Sequence, residues 1–108
     1  MKLLTQSDLR KLQSQDPYHD SGPGRELKAD ESIAFVKFFT PDAQWTWYAV
    51  SASVDPDTSD VQFFGLVDGL DRELGYFCLS ELQRIRGAFG LPVERDLYFD
   101  PVPLSELL

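Results

Sequence analysis

The chain has 108 residues with a hydrophobic content of 43%, and its 18 acidic and 10 basic residues give a formal net charge of −8 at pH 7. This much apolar material excludes a wholly disordered chain, and the negative charge disfavours direct binding of nucleic acid while favouring a protein partner with a basic surface. No apolar run reaches the roughly twenty residues of a membrane helix, and a single cysteine, Cys78, indicates a reducing compartment. We therefore expect a cytoplasmic protein without membrane contacts and a single domain spanning residues 1–108.

The acidic residues are concentrated in the middle of the chain. Residues 41–83 contain eight carboxylates and one base, Arg72, a net charge of −7. A concentrated negative field attracts cationic surfaces from a distance. An equally simple interpretation is that the charge only keeps a small domain soluble, since −8 lies at the upper end of ordinary values.

In chain order, the first predicted element is a short helix over residues 5–14. Thr5 and Asp8 have the spacing of a weak capping box, and Leu9 and Leu12 follow at helical spacing. Residues 15–31 hold two prolines and two glycines without any period, which predicts a loop.

Alternating apolar residues predict strands in the next part of the chain. The strands cover residues 33–40, 44–54, 61–68 and 76–79. A proline-containing turn joins the first two into an antiparallel hairpin. Gly65, inside the third strand, indicates a bulge or a closely approaching backbone.

The last part of the chain is predicted to add a helix and an edge strand. Ser80 and Gln83 form a capping-box pattern for a helix at residues 81–86, and Gly87 is its predicted left-handed stop. Residues 96–100 are typical of a final edge strand. Together these elements predict an α+β fold, an antiparallel β-meander of three to four strands packed with two short helices.

Catalytic and metal-binding patterns are weak. A Cys–His pair needs an exposed thiol with a lowered pKa, whereas Cys78 lies in an apolar predicted strand and His19 in the loop. One cysteine and one histidine cannot form a zinc site. The loop at residues 55–60 lacks the glycine and the closing glutamate of a calcium-binding EF-hand. We therefore predict no catalytic residues, no metal and no cofactor.

The alternative hypothesis is an enzyme of undefined class. Its possible cleft would combine the charged cluster Glu94, Arg95 and Asp96 with Tyr76 or Tyr98. Two carboxylates beside an arginine would support acid–base chemistry if they faced one pocket. Arginine also favours bidentate pairing, which predicts that Arg95 bridges a carboxylate elsewhere in the fold.

Trp45 and Trp47 fall on one face of the second predicted strand. Core packing is one interpretation, because aromatic residues dominate sheet cores, and an exposed face would make them anchors of a protein interface. Stacking on nucleic-acid bases normally comes with Lys and Arg, which are scarce in this segment. The predicted partner-binding residues are Asp55, Asp57, Asp60, Asp68, Asp71, Glu73, Trp45 and Trp47.

Several runs of the chain resemble a small bacterial family of unknown function. They are residues 36–42, 45–48, 63–67, 75–82 and 86–99, together with the opening residues 1–12. Members of that family are compact single-domain proteins, typically carried on plasmids and integrative elements and often found near antirestriction and conjugation functions. The resemblance implies this setting and transfers no catalytic residue.

These observations predict a non-enzymatic accessory factor of mobile elements that binds a basic protein. In its most specific form, the hypothesis is that the acidic residues imitate a nucleic-acid backbone and counter host defence. Such mimicry requires carboxylates about every 3.4 Å along a strand. Whether the chain meets that requirement depends on how it folds.

Overall fold

A five-stranded antiparallel sheet forms the centre of the computed structural model, which describes residues 2–15, 20–22, 25–26 and 32–108. The strands in chain order are β1 (Asp20–Gly22), β2 (Arg25–Glu26), β3 (Ile33–Ala34), β4 (Val36–Phe39), β5 (Thr46–Val54), β6 (Val61–Asp68), β7 (Arg72–Cys78), β8 (Glu94–Arg95) and β9 (Val102–Pro103). The sheet order is β7-β6-β5-β4-β8, so β4 to β7 form a meander and β8 returns beside β4. Two further ribbons pair β1 with β2 and β3 with β9.

The α+β prediction is confirmed, and the strand bounds show where pairing overrode the local pattern. β6 matches the predicted strand at residues 61–68 at both ends, whereas β7 begins four residues before the predicted 76–79. The predicted strand at residues 33–40 is divided at Phe35. The division arises because β3 pairs with β9, while β4 pairs with β5 and β8.

The predicted loop at residues 15–31 contains the antiparallel pair β1 and β2, so this part of the prediction is wrong. The rest of that segment, His19 included, lies outside the described residues except for Gln15. The Gln15 amide nitrogen donates to the carbonyls of Ile33 at 2.8 Å and Val50 at 2.7 Å. The Ile33 amide in turn donates to the Gln15 carbonyl oxygen at 3.0 Å. Gln15 therefore ties the end of the first helix to the sheet.

The first helix, α1, covers Gln6–Gln13, and its predicted capping box is confirmed. The Asp8 amide donates to the Thr5 hydroxyl at 3.1 Å, and the Thr5 amide donates to the Asp8 carboxylate at 3.0 Å. These bonds satisfy backbone donors that the first turn of a helix leaves open. No helix within the described ranges is long and apolar enough to cross a membrane.

The second helix, α2, covers Leu79–Arg84 and corrects two predictions. Ser80 lies inside the helix, so it does not begin a capping box, and Cys78 at the N-cap makes no side-chain capping bond. The helix stops before Ile85, whose backbone is extended, and Gly87 is not left-handed. Gly90, with φ +82°, is the glycine in the left-handed region among the described residues.

Apolar side chains cover parts of both faces of the sheet. On the helix face, both helices pack over buried residues that include Leu12, Phe38 and Phe63. On the C-terminal face, a 3₁₀ helix at Leu104–Glu106 contributes Leu104 to a second cluster with Phe64 and Leu66. Because both faces carry cores, the two-sided apolar pattern of the strands follows from the fold.

The predicted edge strand at residues 96–100 is wrong. β8 ends at Arg95, and Asp96 begins a turn because its carboxylate accepts the Tyr98 amide at 2.9 Å and its carbonyl accepts the Phe99 amide at 3.4 Å. A carboxylate that bonds two residues ahead offers the backbone a turn in place of a strand. Pairing resumes only at β9.

Gly65 lies in the middle of the sheet, opposite Ala49 in β5 and Gly75 in β7. The pairing with β5 is irregular between Ala49 and Ser51. A Cβ atom at Gly65 would lie 1.8 Å from the Tyr48 carbonyl oxygen. The predicted close approach of backbone at Gly65 is thus confirmed.

Candidate functional site

The predicted acidic residues separate into two groups at opposite ends of β6. Asp55, Asp57 and Asp60 lie in the β5–β6 loop (residues 55–60). Asp68, Asp71 and Glu73 lie in the β6–β7 turn, a name that covers residues 68–73 and so includes the last residue of β6 and the first two of β7. The seven residue steps of β6 separate the two groups by about 23 Å. The structure therefore presents two acidic groups in place of one continuous patch.

In the β5–β6 loop, two of the three acids organise the chain. The Asp55 carboxylate accepts the amides of Asp57 at 2.8 Å and Thr58 at 3.3 Å. The Asp60 carboxylate accepts the Ser80 hydroxyl at 2.6 Å and the Ser80 amide at 3.1 Å. These bonds, the one from the Ser80 hydroxyl above all, lower the pKa of Asp60. Asp60 thus supplies α2 with the cap that its own N-cap residue lacks.

Replacing Asp60 by Ala is expected to lower the free energy of unfolding by about 1–2 kcal/mol, because α2 loses this cap. The folded-state pKa of Asp60 is below 3.8, so the contribution is present above that value and is lost as the pH falls through the folded-state pKa. Urea unfolding at successively lower pH should show the gap between wild type and Asp60→Ala closing in acid. The control is Asp57→Ala, for which we expect no change. An equal loss of stability in Asp57→Ala would contradict the assignment of Asp60 as the cap of α2.

In the β6–β7 turn, one acid is paired with a base and two are exposed. Arg72 Nε lies 3.3 Å from the Asp68 carboxylate, and an Arg72 guanidinium nitrogen donates to the Leu107 carbonyl at 2.8 Å. Asp71 and Glu73 are exposed. The one base of the turn is thus directed toward Asp68 and the C-terminus, while Asp71 and Glu73 face solvent.

Trp45 lies against this turn, because the β4–β5 and β6–β7 turns of a meander share one end of the sheet. A Cβ atom at Gly69 would lie 2.4 Å from the Trp45 indole, so any other residue here would displace the ring. Trp45 and Trp47 stack with ring centroids 6.1 Å apart and an interplanar angle of 25°. Trp47 is 5% exposed and Trp45 is 40% exposed. Of the two interpretations of this pair, core packing therefore applies to Trp47, whereas Trp45 is the exposed residue.

A groove of about 560 Å³ opens beside the two tryptophans. Its other walls include Ile85, Arg86 and Ala88, from the segment that follows α2. Sequence reasoning did not select these residues, because helix-end and loop residues carry no local binding signal.

The Asp42 carboxylate positions the loop that follows this segment. It accepts the amides of Phe89 at 2.6 Å and Leu91 at 3.2 Å. It also lies so close to Gly87 that a Cβ there would come within 1.5 Å of it. The loop is thereby held against the β4–β5 turn and presents Phe89, which is 87% exposed. In the sequence, Asp42 is only a residue of the turn between the first two predicted strands, since its partners are more than forty positions away.

Tyr76 lies apart from the other residues of the possible cleft. Tyr76 lies in β7 at one edge of the sheet and Glu94 and Arg95 lie in β8 at the other, four strand spacings or about 19 Å away. Asp96 pairs with Lys37 at 3.5 Å. Tyr76 and the three charged side chains named for the enzyme hypothesis therefore do not face one cleft in this fold.

Arg95 instead joins β8 to α1, which confirms the predicted carboxylate bridge. Its guanidinium makes two bonds to the Asp8 carboxylate, one of them 2.9 Å long. Burial raises the pKa of Asp8, but the hydrogen bonds from Arg95 and Thr5 outweigh it, and the pKa falls below its usual value. The pair therefore has a structural role that links the first helix to the far edge of the sheet.

Cys78 lies at the end of β7 and is half-buried. Burial, followed by a hydrogen bond with Glu81, raises the pKa of its thiol. A thiol with a raised pKa is a poor nucleophile at neutral pH. Within the described ranges, no three His, Cys, Asp or Glu side chains are grouped so that they could hold a metal ion.

Comparison with known proteins gives a family and no activity. The model of the family described as "Protein of unknown function (DUF2958)" matches residues 3–108. No curated protein and no solved structure matches the chain. The match extends over nearly the whole chain, so any inference about function has to come from the surface described above.

Proposed function

The chain belongs to the DUF2958 family of proteins of unknown function, and we propose that it is a non-enzymatic protein-binding module whose partner carries a basic surface with an apolar centre. The proposed contact site is the end of the sheet where the β4–β5 turn meets the β6–β7 turn. Trp45 is its anchor, and Asp71 and Glu73 form its charged rim.

The exposed indole of Trp45 is the observation that carries this proposal. Tryptophans that fill partner pockets account for much of the binding energy in protein interfaces. Trp45 is held between Trp47 and the bare backbone of Gly69, and its amide and carbonyl both bond to Thr40. A side chain that is already ordered loses little conformational freedom on binding. Phe89, on the loop held by Asp42, adds a second exposed ring at the same end of the sheet.

The acids of the β6–β7 turn give this apolar site a negative rim. Asp71 and Glu73 are exposed on the turn that supports Trp45. Complementary charge at the rim of an interface accelerates encounter and selects partners more than it adds affinity. A basic surface with an apolar centre is the partner that such an arrangement fits.

The narrower hypothesis is nucleic-acid mimicry by an accessory factor of mobile elements that counters host defence. The resemblance to plasmid-borne proteins supports it, as do the two acidic groups. Those groups lie about 23 Å apart, roughly seven nucleotide steps of 3.4 Å. A partner of the mimic would have to contact both ends of the sheet, whereas the module proposed above needs only one end.

Affinity capture from the native host, followed by titration of the purified partner, tests both forms. Trp45→Ala is expected to weaken binding about 30-fold, as the loss of a hot-spot tryptophan does, and Asp71→Lys several-fold. Asp57→Lys is a matched charge reversal in the other acidic group, and we expect it to change affinity less than about two-fold.

The outcomes separate the two forms of the proposal. Equal weakening by Asp57→Lys and Asp71→Lys would favour mimicry over a single site. Binding that survives Trp45→Ala and Asp71→Lys unchanged would refute the proposed contact site.

A further inference from the structure

We propose that the chain also self-associates, with the β6–β7 turn of one copy seated in a groove on the helix face of a second copy. The groove lies between the start of the chain, α2 and residues 91–94, and it has a volume of about 630 Å³. This contact goes beyond the proposed function because it needs no other protein. It also differs in chemistry, since its receiving surface is basic and apolar.

The groove combines an apolar lining with a basic rim. Leu4, Leu79 and Leu91 line it, and Leu91 is 46% exposed. Lys2 and Arg86 stand at the rim with a single acid, Glu94. Volumes of this size accept side chains of a docking segment, and the two bases favour a segment that is acidic.

The β6–β7 turn has the complementary character. Leu70 is 92% exposed at its tip, between Asp68 and Asp71 in sequence. An apolar side chain flanked by carboxylates matches an apolar groove flanked by Lys2 and Arg86. Removing such a leucine from water favours association, and the opposite charges set its orientation.

The net charge of −8 does not prevent this contact. At physiological ionic strength, charges more than about 8 Å apart are largely screened. Screening therefore weakens the repulsion between the more distant acids of the two copies more than the attraction between the acidic turn and the basic rim. Seating the turn would cover Asp71 and Glu73, so self-association should compete with the proposed partner.

The contact joins two different surfaces, which makes charge reversal a sharp test. One variant, Lys2→Glu/Arg86→Glu, reverses the groove, and the other, Asp71→Lys/Glu73→Lys, reverses the turn. Each variant alone opposes like charges across the contact, whereas an equimolar mixture restores opposite charges. Sedimentation equilibrium of the purified chain is expected to show a mass that rises above the monomer value of 12.3 kDa with concentration. Each variant should remain at the monomer mass, and the mixture should regain the wild-type rise.

Two leucine variants test the apolar part of the contact. Leu70→Asp is expected to abolish the rise in mass. Leu97→Asp alters another exposed leucine, in the turn after β8, and should leave the rise in mass unchanged. A wild-type mass that stays at 12.3 kDa up to millimolar concentration overturns the proposal, as does a mixture that fails to associate. Partner capture plays no part in these measurements, so their failure is distinct from failure of the proposed function.

Discussion

Gly65→Ala is expected to destabilise the fold by on the order of 4 kcal/mol or to prevent folding, the range reserved for backbone and packing violations. The added methyl group would lie 1.8 Å from the Tyr48 carbonyl oxygen. That oxygen belongs to β5, whose pairing with β6 cannot open without breaking the middle of the sheet. Chemical unfolding followed by circular dichroism measures the loss, and the yield of folded protein reports the extreme case.

The adjacent strand offers a matched control. Gly75 pairs with Gly65 in the neighbouring strand, and a Cβ there meets nothing within 4 Å. Gly75→Ala is therefore expected to be neutral or to stabilise by roughly 0.5 kcal/mol, because alanine restricts the unfolded chain. Equal losses for the two variants would show that the close approach at Gly65 is not the cause.

Arg95→Met is expected to cost about 2–4 kcal/mol, because it leaves the Asp8 carboxylate without its guanidinium partner. The two side chains are only 17% and 11% exposed, and they connect residues 87 positions apart. Urea unfolding gives the loss directly. Lys37→Met is the control, since it removes the more exposed pair with Asp96, which lies in the turn directly after β8, and a loss below about 1 kcal/mol is expected.

The pH dependence identifies the mechanism of this loss. In the wild type the pKa of Asp8 is lowered, so the contribution of the pair is present above the usual value of 3.8 and fades as the pH falls through the folded-state pKa. In Arg95→Met, burial raises the pKa of Asp8 while the bonds from Thr5 alone oppose it. The difference between the two proteins should therefore shrink in acid. The double variant Asp8→Asn/Arg95→Met removes the buried charge but keeps a side-chain oxygen for the Thr5 amide, so it should recover part of the lost stability. A double variant as unstable as the sum of both single changes would contradict the account.

Local patterns predicted those elements whose causes are local. The capping box of Thr5 and Asp8, the strand at residues 61–68 and the backbone approach at Gly65 all depend on neighbours in sequence or on a glycine inside a strand. The failed capping box at Ser80, by contrast, reflects competition from a distant partner. Ser80 matched a capping box, but Asp60, twenty residues earlier, supplies the cap.

The candidate site shows the same division. Shared orientation of Trp45 and Trp47 followed from strand alternation, but their difference in exposure depends on which turns lie beside each ring. Arg86 and Asp42 entered the site through contacts that a linear pattern does not contain.

The amino-acid sequence by itself determined the fold class, the meander and the strong negative charge of the middle segment, because these follow from residue type and near-neighbour spacing. Only the tertiary structure decided where that charge lies. A meander places successive turns at alternate ends of its sheet, and the length of β6 therefore separates acids that are close in sequence while bringing Trp45 against Gly69.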